Sequence, residues 1–127
     1  MNPATIAKSG TEFAEQCALF AMCALNVRKY PELKWFHSIQ NEEKSGNAIR
    51  GARGKASGKR KGVSDTSFPV RRGGYSGLYI ELKNAKGKPS EEQLEFGSFV
   101  QTQGFYFAVC YGWENAWNCV EWYLNLK

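Results

Sequence analysis

Histidine is nearly missing from the 127 residues: His37 is the sole one, so no histidine cluster can hold a metal. Its strand-like setting fits a hydrogen-bonded structural residue better than a general base. The four cysteines, Cys17, Cys23, Cys110 and Cys119, form no C-x-x-C pair and sit among apolar neighbours, as small buried hydrophobes do. Zinc and a disulfide framework are therefore not expected. No apolar run approaches the roughly 18 residues of a membrane span, and the first ten residues lack the basic-then-apolar plan of a secretory signal. The expectation is a soluble, cytoplasmic protein with no membrane partner. There is no internal repeat, and low complexity is confined to the Gly/Lys-rich residues 51–62. A hydrophobic content of 43% against a net charge of only +5 excludes intrinsic disorder. This length suits one domain, residues 1–127, with a core burying roughly two-thirds of the unfolded surface.

Acidic residues are scarce where basic ones are dense. Residues 44–88 hold twelve Lys and Arg against two acids, net +10, whereas the remainder is net −5. A basic block on an otherwise acidic chain is the footprint of a polyanion, with nucleic acid the natural candidate, because neutralising phosphates releases condensed counterions. A solvated Lys/Gly-rich loop is the plainer alternative. The two acids are Asp65 and Glu81, and Glu81 lies in a strand-like segment.

Phe13, Cys17, Phe20, Ala24 and Val27 recur at steps of four, three, four and three, which predicts an amphipathic helix over residues 10–28 packing that face on the core. Ser9 followed by Glu12 reads as its capping box. Pro31 ends it, and residues 34–39 read as a first strand. Residues 47–57 form a candidate basic helix, weakened by Gly51 and Gly54 and ended at Gly58. Residues 65–70 and 77–83 read as a hairpin joined by a longer, flexible connection around Gly73-Gly74. Along its second strand, Leu78, Ile80 and Leu82 point one way and Tyr79, Glu81 and Lys83 the other. Pro89-Ser90-Glu91-Glu92-Gln93 opens another helix, with Leu94, Phe96, Phe99 and Val100 available to pack, ending near Gly104. Residues 105–111 read as a strand buried on both faces, and residues 114–124 as a last helix packing Ala116, Trp117, Val120 and Leu124.

Antiparallel pairing can make Asp65 and Glu81 cross-strand neighbours. Two carboxylates about 4 Å apart repel by roughly 4 kcal/mol at an effective dielectric near 20. A divalent cation removes that conflict, and oxygen-only ligands favour Mg2+ or Mn2+. Lys83, on the same face, can meet a metal-bound water or a scissile phosphate, which makes a hydrolytic site. E-x-K alone is a weak signal, equally read as a surface ion pair. The joint pattern is more specific: a capped helix with Glu12, G-V-S-D at Gly62 to Asp65, a Gly-rich hairpin, I-E-L-K at Ile80 to Lys83, then a helix with Gln93.

In this order and spacing the chain resembles the PD-(D/E)XK nuclease superfamily, specifically its VRR-NUC branch, with Gly62-Val63-Ser64-Asp65, the stretch from Gly73 to Lys83 and Ser90-Glu91-Glu92-Gln93 as carriers. The resemblance spans Glu12 to Leu124. It implies an α/β, restriction-endonuclease-like core of mixed central sheet flanked by helices, a Mg2+- or Mn2+-dependent site without organic cofactor, and cleavage of branched or structured DNA. Stand-alone members of this size resemble homodimeric Holliday junction resolvases, often phage-encoded. By position, Asp65 and Glu81 would ligate metal with the Leu82 backbone carbonyl, Lys83 would be the catalytic lysine, Glu12 the helical carboxylate completing the site and a further metal ligand, and Gln93 the glutamine after the catalytic strand. Two departures stand out. Ser64 replaces the usual proline, and Gln40 stands where relatives often have one, leaving Asn41 and Glu42 as site neighbours.

Several alternatives stay open. Glu15 competes with Glu12, Gln16 can support either, and Gln93 can serve only as a cap. Trp113, Trp117 and Trp122 read as core or dimer-interface residues rather than base-stacking platforms. Arg50, Arg53, Lys55, Lys59, Arg60, Lys61, Arg71 and Arg72 are the candidate phosphate contacts. A twofold dimer would place two sites on opposed strands of a junction. A non-catalytic DNA-binding module and a monomeric flap or nicking nuclease remain as competing readings.

Overall fold

A computed structural model describes residues 2–40 and 48–127. A short helix α1 (Pro3–Ile6) leads into α2 (Glu12–Leu25), and a 3-10 turn (Pro31–Trp35) into the short strand β1 (His37–Ser38). Helix α3 (Ala48–Ala56) precedes β2 (Thr66–Phe68) and β3 (Leu78–Lys83), followed by α4 (Glu91–Thr102), β4 (Tyr106–Tyr111) and α5 (Trp113–Leu124). The sheet runs in the order β1-β2-β3-β4, antiparallel except for the parallel β3–β4 pair. This is an α/β architecture of a mixed sheet flanked by helices, as the family resemblance implied. No helix among the described residues is long and apolar enough to cross a membrane.

The predicted first strand shrinks to two residues because Pro31, lacking an N–H and fixed in φ, opens a 3-10 turn instead. Strand β2 stops at Phe68 since Pro69 cannot donate to the ladder. The connection to β3 is not a flexible loop. Arg72 and Tyr75 exchange backbone hydrogen bonds of 3.2 and 2.7 Å around Gly73 and Gly74, whose φ angles of 56° and 85° supply the positive values that a tight two-residue turn demands. Asn41 and Glu42 lie outside the described residues.

The core joins Leu19 of α2, Phe36, Phe68, Leu78, Ile80 and Leu82 of the sheet side, and Val120 and Tyr123 of α5. Trp117 belongs to it, whereas Trp122 is 45% exposed and packs on Tyr106. Two helices sit at a different rotation from the one expected. The cap of α2 is Thr11, whose Oγ1 accepts the Ala14 N–H at 3.1 Å, and Ser9 reaches only the Thr11 hydroxyl, at 3.4 Å. The buried side of α2 is Ala14, Ala18, Leu19 and Cys23, so Phe13 is 70% exposed on the opposite side. Small alanines let the helix approach the sheet, and the same rotation carries Glu12 and Glu15 inward. On α4, Gly97 and Val100 are buried while Leu94 and Phe99 face outward. Strand β4 lies at a sheet edge, its two faces covered by α4 and α5 so that Tyr106 to Val109 are half-buried and Cys110 buried, while Tyr111 is exposed.

Gly97 sets the spacing of α4 on β4, because a Cβ there would sit 2.3 Å from the Phe107 ring. Overpacking of that kind costs about 1–3 kcal/mol or more, which outweighs the ~1 kcal/mol that alanine gains in helix propensity. Gly97→Ala is therefore expected to lower Tm by several degrees in thermal unfolding; an unchanged or raised Tm would show that the ring yields freely.

Candidate active site

The β2–β3 register pairs Thr66 with Ile80, which continues one step to bring Asp65 opposite Glu81. Asp65 is fixed by its own acceptor role: Oδ2 takes the backbone N–H of Leu82 at 2.8 Å. In the alternation of β3, Tyr106 and Gly112 donate to the carbonyls of Gly77 and Lys83, so the odd-numbered residues of the strand face β4. Leu82 therefore directs both its N–H and its C=O toward the Asp65 side. The donated N–H is a contact that residue spacing missed, and strand alternation was the signal for it.

Glu81 is fully buried, and Oε1 accepts from Gln93 Nε2 at 2.6 Å. Its other oxygen, Oε2, is buried with no hydrogen-bond donor, and the carboxyl lies within hydrogen-bonding reach of Asp65. Burial first, and the Asp65 charge second, push the Glu81 carboxyl up to about 8, partly offset by Lys83. Lys83 is also buried, its Nζ 3.5 Å from Glu81 Oε1 and 3.8 Å from Glu12 Oε1. Gln93 does two things at once: its backbone and Oε1 complete the capping box with Ser90, and its Nε2 holds Glu81.

Glu15 is committed elsewhere, with Oε1 accepting the Trp113 N–H at 2.8 Å, so it caps the start of α5 while Glu12 meets Lys83. Gln16 is half-buried. These contacts predict a split. Glu15→Ala should destabilise by about 1 kcal/mol, the usual worth of a cap, with cleavage by the folded protein retained; Glu12→Ala should leave Tm nearly unchanged and slow cleavage. Thermal melts paired with single-turnover rates test it, and the reverse assignment would overturn it.

The donors are all oxygen, and a hard dication between Asp65 and Glu81 would satisfy the partnerless Glu81 Oε2, so these two residues fit Mg2+ or Mn2+. The expected third carboxylate is not beside them: Glu12 lies against Lys83, and no group of three or more His, Cys, Asp or Glu suited to a metal occurs among the described residues. Ser64, in the place of the usual proline, is buried with its Oγ unpartnered. His37 is exposed, with Nδ1 2.9 Å from the Trp35 carbonyl.

Among the basic residues, Arg72 is engaged within the fold. Its guanidinium is bonded to Glu32 and to the carbonyls of Leu124 and Arg71, tying the hairpin to the end of α5 while the side chain stays partly exposed. Lys61 pairs with Glu92 at 3.3 Å but remains exposed. Arg53, Lys55, Arg60 and Arg71 are exposed and Lys59 half-buried, whereas the side chain of Arg50, on α3, lies outside the description.

A hairpin carrying Asp65 and an E-x-K strand, inside a mixed sheet flanked by helices, defines a restriction-endonuclease-like chain. The VRR-NUC domain pattern matches residues 21–114, and the chain belongs to the VRR-NUC family. It is similar to a solved structure described as a VRR_NUC domain protein, with 22% identity, a TM-score of 0.75, and coverage of 91% of this chain and 89% of that one. No curated protein matches. Family membership gives the chain a nuclease-type, DNA-processing function.

Proposed function

We propose that the chain is a Mg2+- or Mn2+-dependent, structure-selective DNA endonuclease that acts as a homodimer to resolve four-way junctions. The observation that carries this reading is the buried Glu81 carboxyl beside Asp65, with one oxygen lacking a hydrogen-bond donor and Lys83 at the other. Asp65, Glu81 and the Leu82 carbonyl would hold the cation, which when bound would supply a more acidic water and Lewis-acid stabilisation of phosphoryl charge. Lys83 donates to a phosphate oxygen as charge gathers there. Glu12 holds the Lys83 ammonium in place, and Gln93 fixes one Glu81 oxygen, leaving the other without a donor. Arg53, Lys55, Lys59, Arg60, Lys61 and Arg71, with Arg50, supply backbone contacts that place the substrate without reading sequence.

Purified protein assayed on four-way, flap and linear DNA, with and without Mg2+ or Mn2+, tests the reading. Metal-dependent paired nicks in the four-way substrate are expected, and binding should weaken steeply with salt. Binding without product under any metal would leave a non-catalytic DNA-binding module. Preferential nicking of flaps would replace the resolvase with a flap nuclease.

A further inference from the structure

Strand β4 ends in a tyrosine that the fold does not use. The parallel register sets Tyr111 beside Lys83, one strand spacing of about 4.8 Å away, with both side chains on the sheet face that carries Glu81. Lys83 is buried there, whereas Tyr111 is 43% exposed. Its carbonyl accepts from Asn115 Nδ2 at 2.6 Å, and Gly112, at a φ of 85°, turns the chain directly after it, so the backbone under the ring is fixed. Among the described residues its hydroxyl has no hydrogen-bond partner and its ring meets no other ring or cation. The carboxyl ends of parallel strands are where ligands bind in α/β sheets, and Tyr111 and Lys83 stand at those ends.

The loop leaving β3 brings positive charge to the same place. Gly87 packs on the site, a Cβ there lying 3.3 Å from Lys83 Cδ and 3.1 Å from Glu12 Oε2. An Asn84 turn holds this loop, with Oδ1 accepting the Lys86 N–H and the backbone carbonyl the Gly87 N–H, both at 3.1 Å. Lys86 and Lys88 flank Gly87 and are exposed. After Tyr111 the first exposed charge is acidic instead, Glu114. Other exposed aromatics lack this setting. Trp122 packs on Tyr106 at the opposite end of β4, Lys34 lies over the Trp35 ring at 5.1 Å, and Phe99 stands on α4 beyond Gly97, which meets β4 at Phe107.

We propose that Tyr111 is a stacking platform for one base of the substrate, that of a nucleotide flanking the phosphate at Lys83, while Lys86 and Lys88 hold neighbouring phosphates. Charge sorts the two halves of the nucleotide: the backbone follows the lysines, and the uncharged base lies toward Tyr111 and Glu114. A base inside continuous duplex has both faces covered by its neighbours, so only a nucleotide at a branch, gap or end offers a free one. Every base has a π-face, so the platform reads no sequence. Tyr111 therefore selects for interrupted stacking, which neither Lys83 nor a cation at Asp65 and Glu81 does. The inference rests on the nuclease reading above and adds the residue that chooses its substrate.

Photo-cross-linking tests it apart from cleavage. A four-way junction carrying 5-iododeoxyuridine, placed in turn at each nucleotide bordering the branch, is irradiated with the full chain in Ca2+, and the coupled peptide is mapped by mass spectrometry. A cross-link at Tyr111 is expected, kept in Tyr111→Phe and lost in Tyr111→Ala. In Mg2+, Tyr111→Ala should lower kcat/KM on branched DNA by about tenfold to a hundredfold, the loss from removing one stacked base, and far less on continuous duplex; Tyr111→Phe should restore the rate. Replacing Lys86 and Lys88 together by alanine should weaken binding to branched and continuous DNA alike and flatten its salt dependence. A cross-link at Phe13, Trp35, Phe99 or Trp122 instead, no cross-link, a Tyr111→Phe variant as slow as Tyr111→Ala, or unchanged binding by the double lysine variant overturns the inference. A Tyr111 cross-link without cleavage under any metal would keep the platform and remove the nuclease, whereas cleavage with the cross-link elsewhere would do the reverse.

Discussion

Glu81→Gln is expected to abolish cleavage and, in the metal-free protein at pH 8, to raise the melting temperature. The folded chain holds the Glu81 carboxyl at about 8, against an ordinary value of 4.5 in the unfolded chain. Between those two pH values the folded state keeps a proton that the unfolded state has released. Stability from this group is therefore present at pH 4.5 and is lost as pH rises toward 8. Glutamine removes the conflict: its oxygen still accepts from Gln93, and its amide can donate to Asp65. The gain at pH 8 should be on the order of 2 kcal/mol, several degrees of Tm, and should vanish near pH 5. Cleavage should fall about 10³-fold or more, because the same charge that strains the empty site is what would hold a cation. Calorimetry in EDTA at pH 5 and pH 8, beside single-turnover cleavage in Mg2+, reads both effects. Added Mg2+ should stabilise the parent chain and not the variant, since only a state that binds is stabilised by binding. A variant that cuts normally would remove the mechanism, and one that gains nothing at pH 8 would show that the carboxyl is not strained.

The order of elements was legible in the sequence because alternation, caps and glycines are local signals. The hairpin and the Asp65–Glu81 pairing follow from antiparallel geometry, and the Ser90–Gln93 box from spacing. What local pattern could not supply was the rotation of α2 and α4. Helix α2 carries apolar residues nearly all round, and on α4 the apolar residues Leu94, Phe96, Phe99 and Val100 spread over more than one face, so Phe13, Cys17 and Phe20, or Leu94 and Phe99, point to no unique core direction. The rotation is fixed by polar partners remote in sequence: Glu12 with Lys83, Glu15 with the Trp113 N–H, and Gln93 with Glu81. Arg72 is the same lesson in reverse. A basic residue in a basic block reads as a phosphate contact until the fold brings Glu32 and the Leu124 carbonyl to it. The edge position of β4 was hidden because α4 and α5 cover its two faces, which gives an edge strand the apolar run of a central one.

Lys83→Met separates the chemistry from the holding of the cation. The ammonium sits between Glu81 Oε1 at 3.5 Å and Glu12 Oε1 at 3.8 Å, on a stem that is almost wholly buried. Methionine keeps most of that apolar volume, so Tm should change little below pH 8, whereas Lys83→Ala would add the cost of a cavity. Removing the positive charge has opposite consequences for two observables. Single-turnover cleavage should fall about 10²–10³-fold, the usual loss when a donor aimed at developing charge is deleted. Affinity for Mg2+ or Mn2+ should be retained or raised, because a neighbouring cation no longer repels the one entering between Asp65 and Glu81. Glu81→Gln loses both metal affinity and cleavage, so titration calorimetry beside cleavage rates distinguishes the two variants. Lys83→Arg should not rescue the rate, since a planar fork in a space shaped for a tetrahedral ammonium cannot keep both carboxylate contacts and reach a phosphate. Full cleavage by Lys83→Met would reduce this lysine to an internal counter-ion of Glu12 and Glu81.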